Sequence, residues 1–396
     1  MDATVHERAG LRDVSGYVPG EQPAGGVKLN TNENPYPPPP AVAEALARFP
    51  VERLRRYPPA SGEPFRTAAA RLHGLEPDEI VATNGGDELL RLALATYVDP
   101  GEAVAVAPPT YSLYKVLVRL HGARPVELPL TDDWALPERF AERLNRAGAR
   151  LALVPNPNAP SGRLLDRETV EAVAAGFDGV LLVDEAYADF VDPERGYDLV
   201  PAIRRHPNLL ILRTLSKGYS LAGLRFGYGL GSAPLLAPMA TKTKDSYNVD
   251  ALAAEVAAAA IESRAWAADN WARVRAERER LRAGLERLGL PTLSSETNFV
   301  LASVPPAASA TVPGGRAERG SEPTRGSSNP EIAPDGGAGG PGAEPLYLAL
   351  KARDVHVRWF AEPRLRDRLR ISVGTPEEND RLLAALADLV GAAARD

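Results

Sequence analysis

The chain has 396 residues, 44% of them hydrophobic, no cysteine, and a formal net charge of −6. That length exceeds what one simple core serves and predicts two compact parts, while the lack of cysteine excludes disulfides, thiolate catalysis and thiolate metal sites. Interspersed charges leave no basic stripe for nucleic acid and no polybasic membrane anchor, so small-molecule chemistry is the default expectation.

The five histidines, at 6, 73, 121, 206 and 356, stand singly, without the close pairing of a zinc helix, and no metal is assigned to them. The opening residues have neither a basic nor an apolar leader segment, and no run reaches transmembrane length, which predicts a cytoplasmic protein.

Residues 1–41 are rich in Pro, Gly and Asn and end in Asn32-Glu-Asn-Pro-Tyr-Pro-Pro-Pro-Pro40, an extended arm that needs a surface to lie on. Helical spacing follows at 42–49 and roughly 64–73. From Glu79, short apolar runs at 80–82, 103–107, 151–154, 180–183, 209–212 and 226–230 alternate with helix-like stretches at 88–97, 111–121, 137–147 and 166–175. Such alternation predicts an α/β unit over 42–249, a mostly parallel sheet covered by helices, with ligands gathering beyond the strand ends. A helical stretch over 250–289 then leads to strand-like runs at 298–302, 354–359 and 368–373 and a helix from Pro376, a smaller α+β unit over 250–396. Its interior tract 305–345, made of Ala, Pro, Gly, Ser and charges without periodicity, is predicted to be a disordered insertion.

The segment from Arg213 to Arg225 carries the sharpest chemical signal, since Lys217 sits among Thr214, Ser216 and Arg225 on a loop between two apolar runs. A lysine sheltered there loses hydration, which lowers its pKa and frees the amine as a nucleophile toward carbonyls. Asn84-Gly-Gly-Asp-Glu88 offers backbone amides at a helix N-terminus, suited to a phosphate, although a plain turn capped by Asp87 has the same pattern. Beyond the run at 103 come Tyr111 and Tyr114, either ring stackers or core. Asp184, directly after four apolar residues, needs a cationic partner, which a protonated pyridine nitrogen or a structural Arg or Lys could provide. A reactive lysine, a carboxylate, an anion-binding turn and a stacking ring are together the parts that pyridoxal 5′-phosphate requires.

Read with Leu29-Asn-Thr-Asn-Glu-Asn-Pro35, Arg56-Tyr-Pro58, Pro108-Pro-Thr-Tyr111, Asp184-Glu-Ala-Tyr187, Tyr247-Asn-Val249, Asn298-Phe-Val300 and Leu369-Arg-Ile-Ser-Val-Gly-Thr375, these motifs make the chain similar to the fold-type I pyridoxal-phosphate-dependent aminotransferases. Within that family it most resembles the branch acting on histidinol phosphate, from about Tyr17 to the C-terminus apart from the insertion. The resemblance implies that Lys217 forms the Schiff base and shuttles a proton, that Asp184 keeps the ring nitrogen protonated, and that Tyr187 holds the phenolic oxygen. It assigns ring stacking to Tyr111 and the phosphate to Gly86, Asp87, Thr214, Ser216 and Arg225. The far end of the substrate falls to Tyr17, Asn32, Tyr57, Arg358 and Arg370, with Tyr57 reaching into the neighbouring subunit's site in a homodimer.

One departure stands out. Where the family's loop has the Asn that bonds the phenolic oxygen, this chain has Ala159, and Asn158 comes one residue early. Either Asn158 reaches the ring from a shifted backbone, or Tyr187 holds the oxygen alone. The implied reaction exchanges an amino group between histidinol phosphate and 2-oxoglutarate, forming glutamate. Its alternatives are an aromatic amino-acid aminotransferase, a threonine-phosphate decarboxylase, and a ligand-sensing regulator without turnover, whose usual basic module the short arm does not supply.

Overall fold

The computed structural model describes residues 6–12, 14–309 and 342–391. The arm contributes strand β1 (Val27–Lys28), and the apolar faces of α1 (Pro40–Arg48) and α2 (Phe65–His73) lead into β2 (Ile80–Thr83). Helix α3 (Gly85–Tyr97) begins at the glycines, three residues earlier than the sequence pattern predicts, because Gly85 turns out of the strand at φ 75°. Then follow β3 (Ala103–Val106), α4 (Leu113–His121), β4 (Arg124–Glu127), α5 (Phe140–Arg146), β5 (Ala149–Pro155), α6 (Arg167–Gly176), β6 (Val180–Asp184), β7 (Leu209–Thr214) and β8 (Gly227–Leu230).

These strands form one seven-stranded sheet in the order β2-β8-β7-β6-β5-β3-β4, in which β8 alone runs against its neighbours. Alternate residues feed two apolar clusters, Val104, Val106, Leu151 and Leu153 on one face, Ala105, Ala152, Val154 and Val183 on the other. Burial on both faces is why these strands read as unbroken apolar runs. Strand β4 escaped prediction because Arg124-Pro-Val-Glu127 is a half-exposed edge strand, where Pro and charge are tolerated.

The chain continues through α7 (Ala233–Pro238) to α8 (Ala251–Glu262) and α9 (Arg264–Arg287), so the expected helix over 250–289 is broken at Ser263. Helix α8 packs on α1 and α2, alongside the large sheet's helices. After β9 (Phe299–Ser303) comes the short α10 (Pro306–Ser309), and the chain resumes with α11 (Glu344–Lys351). The expected disorder over 305–345 is therefore corrected at both margins, where Ala308 and Ala343 are buried. Its centre, 310–341, lies outside the described residues.

The run at 354–359 divides into β10 (Val355–His356) and β11 (Arg358–Trp359), which join different sheets. Strand β10 pairs with β1, while β11, β12 (Arg368–Ser372) and β9 form an antiparallel three-stranded sheet, followed by the closing α12 (Pro376–Gly391). The arm thus finds its surface on the C-terminal part, where Leu29 N donates to His356 O and Ser372 N donates to Leu29 O.

Candidate active site

Parallel strands place their C-terminal ends along one edge, and because β8 runs the other way its beginning lies there too. The loops after β2, β3, β5, β6 and β7 and the Arg225 turn before β8 consequently surround one cavity of about 250 Å³. The arm closes it with Tyr17 and Asn32, and the small sheet contributes Arg358 and Arg370. Of the residues singled out from sequence, Gly86, Asp87, Tyr111, Asp184, Tyr187, Thr214, Ser216, Lys217 and Arg225 also line it.

Lys217 Nζ donates to Thr31 O at 3.1 Å. Burial lowers its pKa to about 8; Glu33 opposes this, while Arg370 and Arg225 add to it. A usable fraction of neutral amine is therefore present near neutral pH. Asp184 ends β6, and burial pushes its carboxyl up to about 6 despite hydrogen bonds from Tyr114 and the Ala186 amide. Tyr114 Oη donates to Oδ2 at 2.7 Å and Ala186 N to Oδ1 at 3.1 Å. Both donors are neutral, and among the described residues no cation forms a salt bridge with Asp184. The nearby Arg213 is taken by Glu185 at 2.7 Å.

At the opposite end, the first turn of α3 brings Gly86 and Asp87 beside Thr214, Ser216 and Arg225. Arg225 sits in the left-handed region at φ 57°, which turns its guanidinium back to 3.6 Å from Asp87 and 3.5 Å from Ser216 Oγ. Gly227 permits the close approach of β8 to α3, since a Cβ there would lie 2.7 Å from the Gly85 carbonyl carbon. Helix N-terminus, hydroxyls and guanidinium together suit a phosphate group.

Tyr111 stands edge-on between Tyr17, 5.7 Å away, and Tyr114, 5.5 Å away. Arg358 and Arg370 face each other across β11 and β12, each 5.4 Å from the Phe360 ring. Arg370 donates to Asn30 O at 2.9 Å, while its Nε is buried without a partner.

One expected contact is corrected. The Asn158 side chain does not line the cavity: its Oδ1 accepts from Ser161 N and Oγ, at 3.1 and 2.7 Å, and its Nδ2 reaches Pro109 O. Ala159, with no polar side chain, takes the lining position. Asn32, expected to bind substrate, lines the cavity, and its amide bonds Tyr187 Oη at 2.9 Å and Ser372 Oγ at 3.0 Å. Tyr57 lies outside this chain's cavity, 80% exposed and stacked on Tyr247 at 4.4 Å.

The sequence reading missed Tyr114 as the partner of Asp184, although its place one helical turn after Tyr111 was a usable signal. It also missed Thr110, whose Oγ1 is buried without a partner beside the cavity, and the wall formed by Phe360, Glu362 and Leu365.

A sequence model described as aminotransferase class I and II matches residues 24–386. The chain is 40% identical over 385 residues to a histidinol-phosphate aminotransferase of Microcystis aeruginosa, covering 96% of this chain and 97% of that one. It is 37% identical to one of Syntrophotalea carbinolica, covering 96% and 99%. Among solved structures, a histidinol-phosphate aminotransferase from Sinorhizobium meliloti in complex with pyridoxal-5′-phosphate superposes with a TM-score of 0.77 at 24% identity, covering 92% of this chain and 90% of that one. Thermus thermophilus aspartate aminotransferase with maleate gives 0.70 at 23%, covering 92% and 91%.

Proposed function

This chain belongs to the class I and II aminotransferases, and we propose that it moves an amino group from histidinol phosphate to 2-oxoglutarate with pyridoxal 5′-phosphate as cofactor. The residues fit that cofactor on their own chemistry. Asp184 is a buried carboxylate held only by neutral donors, as a protonated ring nitrogen requires. Gly86, Asp87, Thr214, Ser216 and Arg225 suit its phosphate, Tyr111 its ring face, Tyr187 its phenolic oxygen and Lys217 its carbonyl.

When bound, the cofactor supplies an electron-poor ring that accepts the electron pair released at the substrate's Cα. Asp184 would hold the ring nitrogen in its protonated form, and the 2.7 Å bond from Tyr114 fixes the carboxylate for that role. Lys217, lowered toward neutrality by burial, would offer its amine for attachment and then carry the proton from the substrate's Cα to the cofactor's C4′.

The observation that carries the substrate assignment is the cross-strand pair Arg358 and Arg370, both facing the cavity that holds Lys217. Like charges directly opposite each other on a sheet are unfavourable unless an anion lies between them. A dianionic phosphate answers two guanidinium groups, and the carboxylate of 2-oxoglutarate answers Arg370 in the second half-reaction. Arg358→Ala should weaken histidinol phosphate turnover more than phenylalanine turnover, by about 1.5–3 kcal/mol in kcat/KM terms. Wild type preferring phenylalanine, or equal losses on both substrates, would replace this assignment with an aromatic amino-acid aminotransferase.

The working unit in this reading is a cytoplasmic homodimer. The homodimer is supported by large side chains left exposed within one stretch of the chain, Val51 at 72%, Leu54 at 58% and Tyr57 at 80%.

A further inference from the structure

We propose that Asn32 and Ser372 are positioning residues that aim the Tyr187 hydroxyl at the cofactor's phenolic oxygen, in place of the side-chain amide that the loop after β5 does not present. The inference rests on the cofactor reading above and concerns what this chain's own residues do toward that group.

Asn158 spends its amide on Ser161 and Pro109, and Ala159 faces the cavity with a methyl group. Tyr187 is then left as the side-chain donor suited to the phenolic oxygen, and the direction of its single O–H decides whether it donates there. That direction follows from a short chain of hydrogen bonds. The Asn32 backbone N donates to Ser372 Oγ at 2.8 Å, and Ser372 Oγ donates to Asn32 Oδ1 at 3.0 Å. Ser372 Oγ gives its single proton to Asn32 Oδ1, so the oxygen end of the amide faces the serine. The Nδ2 end must face Tyr187, to whose Oη it donates at 2.9 Å.

With one lone pair of the phenol occupied by an N–H, its own proton turns away from Asn32, toward the cavity that Tyr187 lines. Asn32 and Ser372 are 1% and 3% exposed, so water does not compete for these bonds. Burial raises the Tyr187 pKa, which keeps it a protonated donor at working pH. The charged or titratable groups acting on it are Arg370, Asp184 and Tyr17, with Lys217 Nζ 6.0 Å from its ring. Accepting one hydrogen bond strengthens the one a phenol donates, so the amide also makes Tyr187 a better donor. A donor on the phenolic oxygen stabilises its negative charge and lowers the basicity of the adjacent Lys217 linkage.

The test is the pH titration of the visible absorbance of the holoenzyme. Asn32→Ala should raise the midpoint by about half to one pH unit, the size expected for one net hydrogen bond. Ser372→Ala should shift it in the same direction by less, and Ser372→Thr, which keeps the hydroxyl, should restore it. In a Tyr187→Phe background, Asn32→Ala should add no further shift, because its effect passes through the phenol. An unchanged midpoint in soluble Asn32→Ala and Ser372→Ala holoenzymes, or equal shifts with and without the Tyr187 hydroxyl, overturns the proposal. If wild type shows no visible band with pyridoxal 5′-phosphate, or Lys217→Ala keeps the same titrating band, the cofactor reading fails and this inference goes with it.

Discussion

Asp184 shows how a single side chain trades stability for chemistry. Its carboxyl is raised from an ordinary value of 3.8 to about 6, chiefly by burial. The fold therefore holds the proton more tightly than the unfolded chain, and stability contributed by the protonated group is lost as pH rises through about 6. Asp184→Asn keeps the shape and an acceptor for Tyr114 but carries no charge. Without cofactor it should match wild type near pH 4 and exceed it above pH 7, by on the order of 2–3 kcal/mol. Thermal melting across that range checks the expectation, and a variant less stable than wild type at pH 7.5 would show that the carboxylate is compensated in the apo protein. Turnover should fall severely, since the ring nitrogen loses its counter-charge. Asp184 was legible in sequence because four apolar residues before an acid announce a strand end. Tyr114 carried only a positional signal, one helical turn after Tyr111, while the bond from its hydroxyl to Asp184 exists only in the folded chain.

At the scale of elements, the anion-binding end depends on how closely β8 approaches the first turn of α3. A Cβ on Gly227 would lie 2.7 Å from the Gly85 carbonyl carbon and 2.8 Å from the Gly86 nitrogen, and backbone atoms cannot swing aside. Gly227→Ala should cost about 1–3 kcal/mol of stability by overpacking. It should also weaken pyridoxal 5′-phosphate binding at least about tenfold if, as proposed, the displaced amides hold the phosphate. Equilibrium titration reads this directly, and unchanged affinity would remove α3 from the phosphate site. A second element-scale expectation concerns α10 and α11, which pack against each other and flank 310–341. Joining Ser309 to Gly342 by about six Gly-Ser residues should change stability by less than about 2 kcal/mol, since closure cost varies slowly with loop length. A large loss of activity would assign the replaced segment a role at the site.

For the whole molecule, the proposed homodimer makes a prediction that a monomer cannot meet. Tyr57 is exposed on its own chain, close in sequence to the exposed Val51 and Leu54, and stands outside its own cavity. If it completes the partner's site, Tyr57→Ala and Lys217→Ala homodimers should each be nearly inactive. Co-expression should recover activity, because a mixed dimer holds one site with Lys217 from one chain and Tyr57 from the other. Recovery with co-elution at dimer size in gel filtration supports the arrangement. No recovery from demonstrably mixed dimers would place Tyr57 outside the reaction.

Sequence alone determined what depends on local chemistry. Unbroken apolar runs marked strands buried on both faces, and glycines and an N-terminal acid marked the phosphate-type turn. The lysine between two such runs marked the residue proposed as the reactive group, and the ordered motifs indicated the family. Tertiary structure decided what depends on chain segments far apart. Antiparallel pairing placed Arg225 at the same sheet edge as Lys217, and cross-strand register set Arg358 against Arg370. Lying on the C-terminal sheet, the arm met Ser372, which bonds Asn32 and so links it to Tyr187, a contact between segments far apart in the chain. The loop after β5 left Asn158 bonded to its own neighbours, a choice between two backbone paths that residue identity could not make. Propensity and burial pattern act over a few residues, whereas hydrogen-bond direction between distant segments exists only once the chain has closed on itself.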